Sequence, residues 1–407
     1  MTLSSPTLRR ARGFSLVELM VALALGLLLT AAMVTVYVTS KSSFTRQQQL
    51  STVQQSARVA FEYLTSDARM VGHLGCFTGK TTNTCDGTVG SFCNTIGTVD
   101  VRSNYAVGIE GYEYTPGAYT LTSNSPADIT TAGSWSTNVA TNGGATNAIP
   151  VTTIGGAAGL TPGSDVLLIR TVSGRPVRLA TQVLGTNQTT LSMENVAGGT
   201  CSDGTTAKVS GLCPNSHVLL ASCKTARVFD VQTLSAASPS TLTVRTGTNL
   251  GADPIYPVDG SEVFPMQTIA YYVKQSSSGT GTSLYRRIFD GDNANGVEQE
   301  LIEGVENMQI RYGVDTTAPD PDGVVDLYVA AKGTAGNATD SVTDWSRVVA
   351  LRMSLLMRSA TPVQADTSVA TTATVGGVTI TYPTTGDKFD RRVFTTTVAV
   401  RNRISYF

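Results

Sequence analysis

Residues 19 to 38 form an almost continuous apolar run, broken only by Gly26 and threonines, and no other feature of the 407-residue chain constrains its folding as strongly. At helical rise, twenty residues span about 30 Å, the thickness of a hydrocarbon core. The run is therefore expected to cross a membrane as a helix. Arg9, Arg10 and Arg12 lie ahead of it, and Gly13-Phe14 separates them from the apolar part. A secretory signal has a shorter apolar region with a small-residue cleavage site behind it. Here a cut after Gly13 would leave the hydrophobic helix on the mature chain. Glu18 is the anomaly, a carboxylate placed at the entrance of a segment that should face lipid.

Beyond Lys41 the chain turns polar without losing helical rhythm. Leu50, Val53, Ala57, Ala60, Phe61, Leu64, Ala68 and Val71 recur at threes and fours, with Gln, Ser, Arg and Asp between them. Gly72 and Gly75 then supply stop signals. The pattern predicts one helix from about Phe14 to about Val71, on the order of 85 Å long. Its first half is apolar all round, and its second half carries a stripe that should lie on a globular domain.

The rest reads as β-rich. Residues 115–163 are Thr/Ser/Gly/Asn-rich with little periodicity, which predicts exposed loops or an irregular lobe instead of core. Strands are expected at 165–170, 177–183, 217–223, 241–246 and 268–273, and 299–315 reads as a short turn running into a strand. In a further strand Trp345, Val349, Leu351, Met353, Leu355 and Met357 share one face; Phe394, Thr396, Val398 and Val400 share a face of the last. The fold class is α+β: a long N-terminal helix, transmembrane in its first half, packed on mainly antiparallel sheet.

The formal net charge of −1 provides no global field for nucleic acid or an acidic substrate. Six cysteines fall into two groups, Cys76, Cys85 and Cys93, then Cys201, Cys213 and Cys223. An even count in an exported chain predicts three disulfides, and three cysteines cannot pair completely among themselves. At least one bond should thus join the region after the helix to the middle of the chain. Cys201, Cys213, His217 and Cys223 could instead ligate zinc, but paired Cys-x-x-Cys spacing is absent.

Asp315, Asp320, Asp322 and Asp326 crowd around a glycine turn and are candidate calcium ligands, with Asp290, Asp292, Asn293 and Asn295 a weaker set. An EF-hand is excluded, because Ala318 and Val329 would occupy its first and last ligand positions. Either site would be structural or regulatory, and no cofactor is required. GCFTGKTT (75–82) has one residue too few between its glycines for a phosphate loop. His73 and His217 lie in no nucleophile–base pattern, so the chain is not expected to be an enzyme.

The order Gly13-Phe14-Ser15-Leu16-Val17-Glu18-Leu19, followed by an apolar helix, resembles the N-terminus of type IV pilins and type II secretion pseudopilins. The resemblance implies a leader of residues 1–13, cut after Gly13 by a membrane prepilin peptidase, with N-methylation of Phe14. Removing three arginines with the leader leaves 394 residues carrying −4. Segments 57–76, 163–170 and 301–315, the Trp345 strand and 391–403 resemble, in that order, the PilW minor pilins, with His73 in place of an aromatic residue. The helix-end, central and C-terminal segments also resemble pseudopilin J of type II secretion.

The implied organisation is an N-terminal helix at 14–75, its transmembrane part at 19–38, and a periplasmic domain at 76–407. The implied role is a minor pilin that primes type IV pilus assembly near the filament tip. Its implied partners are other minor pilins, the major pilin, a tip adhesin and the peptidase, with no nucleic acid expected. It should sit in the inner membrane as a single-pass protein until assembled into the extracellular fimbrium. A J-like pseudopilin and an adhesive or DNA-contacting tip module are the alternative readings.

Overall fold

The computed structural model describes residues 13, 15–77, 90–96, 100–114, 119–120, 135–137, 154, 160–181, 183, 189–245, 256–279, 281–293, 295–319, 321–332, 340–362, 372–381 and 389–400. The helix α1 runs from Leu16 to Arg69, 54 residues. Ser15 caps it, its hydroxyl accepting the Glu18 N–H at 3.2 Å. The expected stripe is present: Val53, Ala57, Ala60, Leu64 and Ala68 are buried. Three of these five are alanines, so the helix axis can approach the sheets closely. Leu64, with no exposed surface, gives about 1.5–3 kcal/mol by leaving water. The helix ends where Gly72 and Gly75 take left-handed φ values of 65°. Gly75 is also sterically required, since a Cβ there would lie 2.7 Å from the Phe264 ring.

The larger sheet is built on strands β1 (Phe92–Asn94), β2 (Ile109–Tyr114), β3 (Val166–Val172), β4 (His217–Ser222), β5 (Ala226–Ser235), β6 (Ser240–Val244), β7 (Ser261–Gln275), β8 (Thr282–Phe289) and β9 (Val297–Glu303). β7 is its spine. Its N-terminal part pairs with β4 and Val177–Arg178, and from Met266 onward it pairs with β3 and then β8. Pro265, which has no N–H to donate, sits where the partners change. The smaller sheet orders the edge strand Leu327–Val329, then β10 (Val305–Val314), β11 (Val348–Arg358) and β12 (Arg391–Ala399), antiparallel throughout. The α1 stripe, one face of the larger sheet and one face of the smaller enclose a shared core that includes Ile169, Tyr271, Met308, Ile310, Leu351 and Met353.

Four sequence expectations change. Residues 297–303 are a strand and not a turn, and Gly304 alone (φ 88°) carries the chain from the larger sheet into β10. Trp345 lies in a 3-10 turn, Trp345–Arg347, outside the strand. Val348, not Val349, joins the core cluster, because the pairing of β10 with β11 shifts at Gly313/Val314. Within 115–163, Trp135, Ile154 and Leu160 are buried, so the polar stretch contributes core. The Trp135 indole N–H donates to the Ser164 carbonyl at 2.6 Å.

The seam between the sheets is polar at one place. Asp165, buried at the start of β3, accepts the Ile310 N–H at 2.8 Å and donates its own N–H to Met308 O at 2.8 Å. Burial raises the Asp165 carboxyl well above the usual carboxylate range, and the neighbouring Glu113 charge adds to the rise. Burial pushes Glu113 up to about 7 against the lowering effect of Arg311 and the Ala331 N–H, with Asp340 adding to the rise. An unfolded glutamate releases its proton near 4.5, so the folded chain holds more protons between 4.5 and about 7. The melting temperature of the detergent-solubilised protein should accordingly fall as pH rises through that window. Glu113→Gln should flatten this slope, and a variant with an unchanged slope would remove Glu113 as its source.

Candidate assembly site

From Ser15 to Phe44 every described side chain of the stem is exposed, and the most apolar 18-residue window has a mean hydropathy of 2.5 with no part buried. A surface of this kind is stable only against lipid or other helices. Three stem threonines return their hydroxyls to the helix backbone. Thr30 donates to the Gly26 carbonyl at 2.9 Å, Thr35 to Ala32 at 2.8 Å and Thr39 to Thr35 at 2.8 Å. Gly26 serves no backbone need within the chain, since nothing lies within 4 Å of a Cβ built there. It leaves a small-residue notch of the sort at which membrane helices approach each other.

Glu18 is exposed in the first turn, where four helix N–H groups lack intrahelical partners and negative charge is favoured. Gly13 is exposed just ahead of the cap. Phe14, the expected new terminus, and Arg9, Arg10 and Arg12 lie outside the described residues. The arrangement offers one carboxylate at one end of a greasy rod that no other described residue covers.

At its other end the rod is fastened to the domain. Cys76, seven residues past α1, is bonded to Cys223 after β4. This is the intergroup staple that the cysteine count requires. Cys201 is bonded to Cys213, and Cys93 is also disulfide-bonded, while Cys85 lies outside the described residues. The zinc reading therefore fails: Cys201, Cys213 and Cys223 are oxidised. His217 instead meets the Tyr105 hydroxyl at 2.8 Å and Asp230 at 3.4 Å. Asp67 on α1, which the sequence did not single out, accepts a hydrogen bond from Tyr271 and lies 3.6 Å from Arg286. Its only sequence signal is a carboxylate next to a buried helical position, Ala68.

The acidic turn is occupied by its own backbone. Asp315 accepts the N–H groups of Thr317 (3.0 Å) and Gly323 (2.6 Å), and Asp322 accepts that of Val324 (2.9 Å). Asp326 accepts both the N–H (2.6 Å) and the hydroxyl (2.7 Å) of Thr316, and these bonds hold its carboxyl below the usual range. Asp320 lies outside the described residues. The described three do not bring ligand oxygens within 4.8 Å of one another. In the weaker set, Asp290 accepts the Asn293 N–H at 2.9 Å and Asp292 the Ser202 N–H at 2.9 Å.

Comparison with known families agrees with this geometry. Residues 8–34 match the prokaryotic N-terminal methylation motif, which covers the basic leader, Gly13, Glu18 and most of the bare stem. An N-terminus of this class anchors a chain in the membrane and brings it to the prepilin peptidase and to pilus components. Residues 270–402 match the type IV pilus-assembly protein W family. The two matches together support a pilin-like protein of the PilW type with a pilus-related role. The second match takes in β8 to β12 and the end of β7, that is, the smaller sheet and the part of the larger one against which α1 lies. No curated protein and no solved structure matches the chain.

Proposed function

We propose that this protein is a minor pilin that helps prime type IV pilus assembly and is incorporated at or near the filament tip. The reading rests on one observation: a fully exposed apolar stem whose first turn carries a single carboxylate, Glu18. A carboxylate at the bilayer centre costs about 2.5–3.5 kcal/mol, and a partner cation offsets this. Cleavage after Gly13 creates such a cation, the α-amine of Phe14. In a bundle of stems the Glu18 of one subunit pairs with the amine of its neighbour, and slippage would strand both charges. The pair thereby fixes axial register. The mechanism is assembly by helix packing, without catalysis or a cofactor. Its partners are the other minor pilins, the major pilin and a tip adhesin, and the domain is periplasmic before assembly.

The test is Glu18→Leu in cells that make pili. Membrane insertion should be unchanged, because the stem becomes more apolar. The amount recovered in sheared filaments should fall about tenfold or more, since an unpaired charge in the bundle costs more than the roughly 1.4 kcal/mol of a tenfold step. In the same preparation, mass spectrometry of the native chain should find a methylated Phe14 as the first residue. Normal incorporation of the Glu18→Leu protein would overturn the register mechanism.

A further inference from the structure

β12 is the outer strand of the smaller sheet, paired on one side with β11 over Arg391 to Ala399 without a register break. The Val400 N–H donates to Val349 O, and the Asp390 carbonyl accepts the Ser359 N–H. Since backbone groups alternate along a strand, the even-numbered residues 390 to 400 point at β11. The N–H and C=O groups of Val393, Thr395, Thr397 and Ala399 therefore point away from the sheet, and no backbone partner for them occurs among the described residues. Edges of this length are normally blunted by proline, a bulge or inward charge. The sequence RRVFTTTVA has none of these in its last seven residues and is rich in β-branched residues.

Beside this edge runs a groove of about 660 Å³, walled by α1 and floored by Phe394 to Ala399. Its helix wall presents Ala57, Phe61 and Thr65, flanked by Arg58 and Glu62. We propose that β12 receives an extended strand from a neighbouring pilin subunit, which adds to the smaller sheet beneath α1. The inference rests on the assembly reading above, because α1 forms both the stem and the groove wall. No other described residue covers the stem, which leaves neighbouring subunits or lipid to do so, and assembly brings a neighbour's chain alongside the wall that continues it. The incoming strand should carry alternate small or apolar residues towards Phe61 and Thr65, and a carboxylate within reach of the exposed Arg58.

The full-length chain, expressed in piliated cells with a photo-crosslinking phenylalanine at Thr395, tests this. Illumination should yield an adduct with a different pilin subunit, and the same probe at the exposed Val196 should not. Thr397→Pro removes one outward N–H at a position where an edge strand tolerates proline, and should cut the adduct about tenfold while the melting temperature holds. Thr397→Val, which keeps the N–H, should leave the adduct intact. An adduct formed only with a second copy of this chain, or with a non-pilin protein, or no adduct at all, would overturn the inference. If incorporation depends on Glu18 and no adduct forms, the assembly reading stands and the strand addition fails. If Glu18→Leu incorporates normally, the assembly reading itself fails.

Discussion

Replacing Arg170 with methionine should lower the unfolding free energy by about 3–5 kcal/mol, the usual cost of orphaning a buried charge. Arg170 lies on β3 with its side chain 1% exposed, and Nη2 is 2.7 Å from Oε2 of Glu110, which has no exposed side-chain surface. The guanidinium also donates to the carbonyl oxygens of Val101 (3.1 and 2.6 Å) and Val107 (2.9 Å). The other Glu110 oxygen accepts the Tyr112 hydroxyl at 2.8 Å. Methionine fills much of the arginine stem's volume but takes from the carboxylate its guanidinium and from the two loop carbonyls these donors. Arg170→Met/Glu110→Leu should regain part of the loss, because it removes the stranded charge along with its partner. Denaturant unfolding of the detergent-solubilised chain reads both values. A double variant as unstable as the single one would show that the loop carbonyls, and not the ion pair, carry the effect.

Loss of the Cys76–Cys223 bond should have a comparable effect. The bond spans a sequence separation of 147, for which loop-closure entropy gives about 4–5 kcal/mol. Cys201–Cys213 spans only 12, and the same relation gives about 3 kcal/mol. Cys76→Ser/Cys223→Ser should therefore lower the melting temperature more than Cys201→Ser/Cys213→Ser when both are measured without reductant. The reverse order would show that native-state strain or residual unfolded-state structure outweighs loop length here.

The helix, its two-part character and its core stripe were all legible in the sequence, because a 3.6-residue period over fifty residues is a strong and local signal. The N-terminal motif is a local signal for a similar reason: Gly13, Phe14 and Glu18 fall within six consecutive positions, all inside the matched residues 8–34. β-structure was legible only where it was apolar. β8 was missed because Arg286 and Arg287 interrupt TSLYRRIF, and β9 because VEQELIE carries three glutamates that suit an exposed strand with β8 as its one neighbour. β7 was read short because Pro265 reads as a strand breaker. The seam was out of reach of sequence reasoning. Glu113, Asp165 and Ile310 meet only after the two sheets pack, and nothing in the local pattern marks them as neighbours.

The bond from Cys76 to Cys223 also determines how tension passes through the molecule. A pull on the stem enters the domain at the end of α1, and the shortest covalent route onward runs through the two sulfurs directly to the end of β4. The covalent path through residues 77–222, which includes β2 and β3, is bypassed by that bond. Changes in that segment then act on the packing of the sheet and not on the covalent line between anchor and sheet.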